Sequence, residues 1–286
     1  MVISVASGKG GTGKTTIATN LAAVLGKGIE FLDCDVEEPN AHLFLRPNIN
    51  YSEIVTIPVP NIDLEKCDYC GKCADFCQFN AISVIGKNIL TFPELCHSCG
   101  GCSLICPQKA ISERPRKIGV LEHGLSGEIE FVHGRLRVGE AMAVPLIEKV
   151  KKHIDSKKTV IIDAPPGTSC PVIATIKDSD VVILVTEPTP FGLYDLRLAV
   201  GVARILTLPI GVVVNRADLG DEGVFEYCHK EEIPILMTIP FERKVAESYA
   251  RGELLVKNAI WKNEFLALWE KIKGDVLWKK KRRVLQ

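Results

Sequence analysis

Residues 7–16 read Ser-Gly-Lys-Gly-Gly-Thr-Gly-Lys-Thr-Thr, and their types and spacing suit a polyphosphate. Gly8, four intervening residues and then Gly13-Lys14-Thr15 follow a short apolar run, Val2 to Ala6, and precede a helical stretch, Ile17 to Leu25. That strand–loop–helix setting is where the phosphate-loop pattern carries meaning. Gly8, Gly10, Gly11 and Gly13 let the backbone N–H groups of the loop, with Thr12 and Thr16, close around phosphate oxygens. The following helix adds the positive end of its dipole. Lys14 is expected to reach the β- and γ-phosphates, and the Thr15 hydroxyl to ligate Mg²⁺. The bland alternative is a glycine-rich turn without a ligand. A second chemistry lies in the cysteines, of which the chain has 11. Eight fall between Cys67 and Cys106, and in a reducing compartment clustered thiols hold metal more often than they form disulfides.

The eight form two copies of one pattern. The first is Cys67-Asp-Tyr-Cys70-Gly-Lys-Cys73-Ala-Asp-Phe-Cys77, followed by Ala81-Ile82. The second, 29 residues on, is Cys96-His-Ser-Cys99-Gly-Gly-Cys102-Ser-Leu-Ile-Cys106-Pro107, followed by Ala110-Ile111. Three close thiolates on a glycine-containing loop can cap one face of a cubane, and a remote fourth completes it. The spacing resembles that of bacterial two-cluster ferredoxins, in which the fourth cysteine of each run ligates the other cluster. The resemblance assigns Cys67, Cys70, Cys73 and Cys106 to one [4Fe–4S] cluster, and Cys77, Cys96, Cys99 and Cys102 to a second. Gln78 departs from the ferredoxin proline that Pro107 keeps. Zinc is the competing chemistry, but it uses four thiolates in two pairs and leaves the third and fourth cysteine of each run unexplained. Ile82, Ile85, Ile89 and Ile111 are expected to shield the clusters, although hairpin packing explains them equally well.

Lys9, five residues before Lys14, is the informative extra. With it the loop closely resembles that of the MinD/ParA/nitrogenase-iron-protein class of ATPases, with Mrp-type relatives, and the likeness covers essentially the whole chain. The resemblance implies that Lys9 crosses a dimer interface to nucleotide held by the other subunit, a cation delivered in trans to charge developing in the transition state. It places Asp35 in switch I, to orient attacking water or hold a Mg²⁺-bound water. Asp163, ending an apolar strand as a Walker B carboxylate should, is expected to reach Mg²⁺ through water. Ala164-Pro165-Pro166-Gly167-Thr168 resembles switch II, where the Gly167 N–H would sense the γ-phosphate. Asn215, Arg216 and Pro240 are assigned to the nucleotide, the Asn amide matching the donor–acceptor edge of adenine; a strand-end turn former is the alternative for Asn215. Asp33 reads as a strand-end cap. Cys170 lies at the offset of a cluster-bridging cysteine in the nitrogenase iron protein. The second cysteine that protein needs, and the Cys-x-x-Cys pair of Mrp-type carriers, have no clear match. Cys170 therefore reads as a helix-start thiol, with a dimer-interface ligand as the alternative. Cys34 and Cys228 read as buried small residues.

The elements that must position these groups alternate in α/β fashion. Strands are expected over 29–35, 159–163, 181–185, 210–215 and 235–239. Helices are expected over 139–153, up to about Leu206, and over 241–250 and 258–273, with a hairpin or two in 116–138. The expected fold is a doubly wound, mostly parallel P-loop NTPase sheet with an inserted bacterial-type ferredoxin (α+β) domain. Residues 1–59 and 115–275 form the ATPase domain, 60–114 the insertion, and 276–286 a basic tail.

Equal numbers of acidic and basic residues, 35 each, leave no global field for nucleic acid, and none is expected as a partner. The apolar runs are strand-length, and Met1 leads straight into a strand, so a cytoplasmic protein is expected. The tail, Trp278-Lys-Lys-Lys-Arg-Arg283, is a solvated basic end or a marginal membrane-surface segment. Together the expectations are an ATP- and Mg²⁺-dependent homodimer that couples hydrolysis to electron transfer through two [4Fe–4S] clusters to a redox or iron–sulfur acceptor protein. Cluster delivery of the Mrp type and MinD-like positioning at a membrane are the alternatives.

Overall fold

The computed structural model describes residues 1–276, so all of the basic tail but Val276 lies outside the described residues. Strand β1 (Val2–Ala6) runs through the glycine loop into α1 (Lys14–Leu25), and β2 (Ile29–Asp33) leads past Asp35 to α2 (Ala41–Leu45). A long strand, β3 (Asn48–Ile62), precedes α3 (Lys72–Phe76), the hairpin β4 (Ile82–Ile85) and β5 (Asn88–Thr91), and α4 (Gly101–Ile105). Strand β6 (Ile111–Ser126) returns and turns into β7 (Ile129–Leu136). The remainder alternates: α5 (Val144–Lys151), β8 (Thr159–Asp163), α6 (Cys170–Ile176), β9 (Val181–Thr186), α7 (Pro190–Ile205), β10 (Ile210–Asn215), α8 (Gly223–Lys230), β11 (Ile235–Ile239), α9 (Arg243–Ala250) and α10 (Ala259–Lys271).

Among the described residues nine strands share one sheet, in the order β11-β10-β9-β1-β8-β2-β7-β6-β3. From β11 to β7 every pairing is parallel, which demands helical crossovers, and β6 and β3 close that side as an antiparallel pair. The β-branched runs are continuous because both faces are covered; β9 is buried at every position. Ile161, Ile183 and Val213 face α1 and α10, where Ile17, Leu21, Phe265 and Leu268 pack. Their neighbours in sequence, Val182, Leu184, Val212 and Val214, meet α6, α7 and α8. Helix α5 covers Leu32, Val132 and Ile162 through Leu146, Ile147 and Val150. Strand β1 lies between β8 and β9, so the chain leaves it at a topological switch point, where open α/β sheets hold ligands beyond their carboxyl ends.

Two elements differ from the expectations. Helix α5 starts at Val144 rather than Gly139, because Gly139 is left-handed at φ +79° and Glu140 is held by Arg116 instead of entering a helix. Strand β3 extends the main sheet through 48–62, a stretch not expected to be a strand. Its prolines, Pro58 and Pro60, are tolerated because it is an edge strand. The alternation of Val55, Ile57 and Val59, all buried, was the available signal.

Between β3 and β6 the chain builds a small unit with its own apolar cluster, Cys73, Ile82 and Ile111, joined by Ile62, Val84 and Ile89. Its two halves repeat. Tyr69 and Ser98, Gly71 and Gly100, and Asn80 and Lys109 take the same left-handed backbone at matching positions. Hairpin β4–β5 starts on the pair Ile82–Thr91, and the β6–β3 ribbon ends on the matching pair Ile111–Ile62. Ile85 is 64% exposed near the tip of its hairpin, so it shields nothing. No helix among the described residues is long and apolar enough to cross a membrane.

Candidate functional site

The loop after β1 is shaped by contacts a side chain could not make. A Cβ on Gly8 would lie 2.4 Å from the Asp195 carbonyl oxygen, so the loop seats directly on α7. Gly11 and Gly13 are left-handed, and a Cβ on Gly13 would lie 2.7 Å from the Asn215 amide nitrogen. Lys14 and Thr15 begin α1 and are buried. The Thr15 hydroxyl donates to Asp163 Oδ2 at 2.5 Å, which brings together two of the three groups assigned to Mg²⁺. Among the described residues, Asp163 Oδ1 and the Thr12 hydroxyl are buried with no partner. An orphaned carboxylate oxygen beside a threonine hydroxyl at the mouth of a phosphate loop fits a hydrated Mg²⁺.

Burial sets the acids. Asp163 is pushed up to about 7, with Thr15 and Lys14 opposing the rise. Asp35 is pushed up to about 6 by burial, with Lys14 pulling it back. Asp33 is raised well above the usual carboxylate range by complete burial and by the Asp163 charge. It accepts from the Ala41 and Asp35 N–H groups, each at 3.1 Å, and so caps the end of β2, as expected, and also the first turn of α2.

A cavity of about 330 Å³ lies above the loop, lined by Gly10, Gly11, Gly13, Lys14, Thr15, Thr16, Asp35, Asn215, Arg216 and Pro240 among others. It thus gathers most of the residues assigned to nucleotide. Phe241, Val245, Ala246 and Tyr249 add an apolar wall, the last three from α9, which sequence reasoning had left without a role. Asn215 donates to the Thr12 carbonyl at 2.9 Å and accepts from the Arg216 N–H at 3.0 Å, so it ties β10 to the phosphate loop. The Gly167 N–H donates to the Ser7 carbonyl at 3.0 Å; meeting a γ-phosphate means exchanging that bond. Lys9 lies over its own chain, 3.1 Å from Glu187, which also binds Arg216 at 2.7 Å. Glu187 was missed, although an acid at the end of a buried strand is the same signal that marked Asp163.

Eight of the 11 cysteines gather in two fours. Cys67, Cys70, Cys73 and Cys106 line one small hollow with Ile62, Val84, Ile89 and Ile111. Cys77, Cys96, Cys99 and Cys102 line another of about 440 Å³, with Phe76, Phe79 and His97 in its wall. In each half the fourth sulfur accepts an N–H four residues on, Ala81 to Cys77 and Ala110 to Cys106, both at 3.3 Å. Among the described residues no three Cys, His, Asp or Glu side chains converge on a point that would hold a single ion. Cys170 is exposed at the start of α6, outside both groups, while Cys34 and Cys228 are buried.

Residues 3–256 match the model of the CobQ/CobB/MinD/ParA nucleotide-binding domain. The chain belongs to this family. As a MinD/ParA-type P-loop ATPase it is 35% identical over 279 residues to an uncharacterized protein of Methanocaldococcus jannaschii, each chain covered to 96%. It is 26% identical to an iron-sulfur cluster carrier protein of Pyrococcus horikoshii, covering 96% of this chain and 88% of that one. The MinD/ParA fold is shared with the septum site-determining protein MinD of Pyrococcus horikoshii, solved with Mg-ADP, at a TM-score of 0.59, 19% identity and 96% coverage of both chains.

Proposed function

We propose that this P-loop ATPase holds two [4Fe–4S] clusters in a ferredoxin-like insertion spanning residues 60–114, and that ATP-dependent pairing of two chains governs electron delivery from them to a partner protein. The observation that carries this reading is the crossed gathering of thiols: Cys106 joins the first run and Cys77 the second. That exchange is what ferredoxin ligation requires and what paired zinc sites do not. When bound, each cluster supplies one-electron storage; the chain's own residues set how it is reached. The ribbon of β3 and β6 that carries the insertion joins the sheet at β7, and β7 pairs with β2, whose end leads to Asp35. The strand that leads to Asp35 and the ribbon that flanks the cysteine-rich segment therefore lie in one sheet, with β7 between them.

In this reading Lys14 and the loop amides bind the phosphates, Thr15 and Asp163 hold Mg²⁺, and Asp35 orients water. Lys9 acts across a homodimer. The magnitudes allow coupling: lowering a one-electron potential by about 200 mV costs about 4.6 kcal/mol, on the scale of ~59 mV per tenfold. Differential binding of about 5.5 kcal/mol inverts a two-state equilibrium. Protein purified without oxygen should contain iron and sulfide for two clusters. After dithionite reduction its electron paramagnetic resonance spectrum, potential or transfer rate should change when Mg·ATP is added. Absence of iron ends the cluster reading; identical behaviour with and without nucleotide ends the coupling.

Cluster delivery is the second reading, favoured by relatives named as iron-sulfur cluster carriers. The roomier hollow around Cys96 and Cys99 suits access by an acceptor. Transfer of iron to an apo-acceptor at a rate set by ATP would select it over electron delivery.

A further inference from the structure

Lys9 and Arg216 share one carboxylate, and the sharing is asymmetric in what each cation is for. Glu187 follows the last residue of β9, and its side chain is only 10% exposed. Its Oε2 faces Lys9 at 3.1 Å and its Oε1 accepts from Arg216 at 2.7 Å, so each oxygen takes one cation. The backbone around it is fixed. The Glu187 carbonyl accepts from the Thr189 N–H at 2.8 Å, and a Cβ on Gly192 would lie 2.2 Å from that carbonyl oxygen, so the first turn of α7 is seated against it. Arg216 is anchored as well, by its position directly after β10 and by its N–H to Asn215. Lys9 makes the longer contact, an ion pair at 3.1 Å against the Arg216 hydrogen bond at 2.7 Å, and its carbonyl accepts from the Ser7 hydroxyl, so only its side chain has to leave.

A carboxylate this buried is costly without a cation, so a sole partner could not leave it cheaply. With two partners, one can depart while the other keeps the charge compensated. We propose that Glu187 is a positioning residue that stores Lys9 on its own subunit, and that Arg216, by staying behind on Glu187, makes Lys9 releasable to nucleotide on a second copy of the chain. This rests on the reading that Lys9 acts in trans. It predicts opposite effects for the two partners of Lys9's resting place. Losing Glu187 frees Lys9 and favours pairing. Losing Arg216 leaves Lys9 as the sole counter-ion, so pairing becomes harder.

The test is sedimentation of full-length protein, purified without oxygen, against protein concentration in saturating Mg·AMPPNP, with nucleotide affinity measured separately. The midpoint for dimerisation should fall about tenfold in Glu187→Gln and rise about tenfold in Arg216→Met. Glu187→Asp, which keeps the charge, should return toward wild type. Adding Glu187→Gln to Lys9→Ala should move the Lys9→Ala midpoint no further. Simple structural damage would lower the melting temperature and weaken pairing in both Glu187→Gln and Arg216→Met, and that same-sign outcome overturns the proposal, as do midpoints within twofold of wild type. If wild-type protein stays monomeric in Mg·AMPPNP at every concentration, the in-trans reading itself has failed.

Discussion

The acids around the nucleotide cavity make its metal chemistry pH-dependent, and the sign follows from burial. Folding raises Asp163 from 3.8 to about 7 and Asp35 from 3.8 to about 6, so the nucleotide-free native state binds more protons than the unfolded chain between those values. Its stability should therefore be greatest below about pH 4 as far as these groups are concerned, and be lost as pH rises toward 7. On the proposed assignment, Mg²⁺ is held by the ionised form of Asp163. Its affinity in the presence of nucleotide should thus fall about tenfold per unit as pH drops below 7, one proton being taken up. Isothermal titration of Mg·ADP between pH 5.5 and 8 tests this, and Asp163→Asn should abolish the slope along with most of the metal affinity. An affinity flat across that range would refute the assignment of Asp163. At this scale the sequence was informative wherever chemistry is local. Lys14, Thr15 and the cysteines announce themselves by spacing. Glu187 did not, because its partners, Lys9 and Arg216, are far away in sequence and meet it only after β1, β9 and β10 are laid side by side.

Among the elements, the ribbon of β3 and β6 that flanks the cysteine-rich unit is fastened to the ATPase body by a buried ion pair. Arg116 on β6 binds Glu140 in the loop before α5 through both guanidinium nitrogens, at 2.5 and 3.0 Å, with side chains 8% and 1% exposed. Glu140 also accepts the Met142 N–H at 3.3 Å. Removing one member strands the other, which in buried pairs costs about 3–5 kcal/mol. Glu140→Ala should lower stability by that order in chemical denaturation, while Glu140→Ala combined with Arg116→Met should recover much of it. Equal losses in the single and double variants would show that the pair is not coupled. The alternating α/β rhythm was legible because each parallel strand is a continuous apolar run. Strand β3 was not, since its prolines argue against a strand until its place at the sheet edge is known. The start of α5 was misplaced because Gly139 and Glu140 satisfy turn and ion-pair demands that no periodicity reveals.

For the molecule as a whole, the crossed arrangement of thiols ties the two halves of the insertion together, so damage in one run should appear in the other's chemistry. On the proposed ligation, Cys77→Ser leaves its own run intact and disturbs the cluster held by Cys96, Cys99 and Cys102. Cys106→Ser does the converse. Each variant should lose about half the iron and one of two spectroscopic signals, and the signals lost should differ. Loss of the same signal in both variants would overturn the crossed assignment. The repeat itself was readable from the sequence, down to the offset between halves. Its relation to the nucleotide machinery emerged only from the order of strands.

The placement of Pro58 and Pro60 has one more consequence. They lie on the outermost strand of a nine-stranded sheet, at the half nearest the cysteines, and proline offers no N–H to a visitor. Along that half the rim is a poor template for an additional strand. Whatever docks beside the cysteine-rich end meets loops, short helices and side chains, and an opened or oxidised chain has less chance of zipping onto its neighbours there.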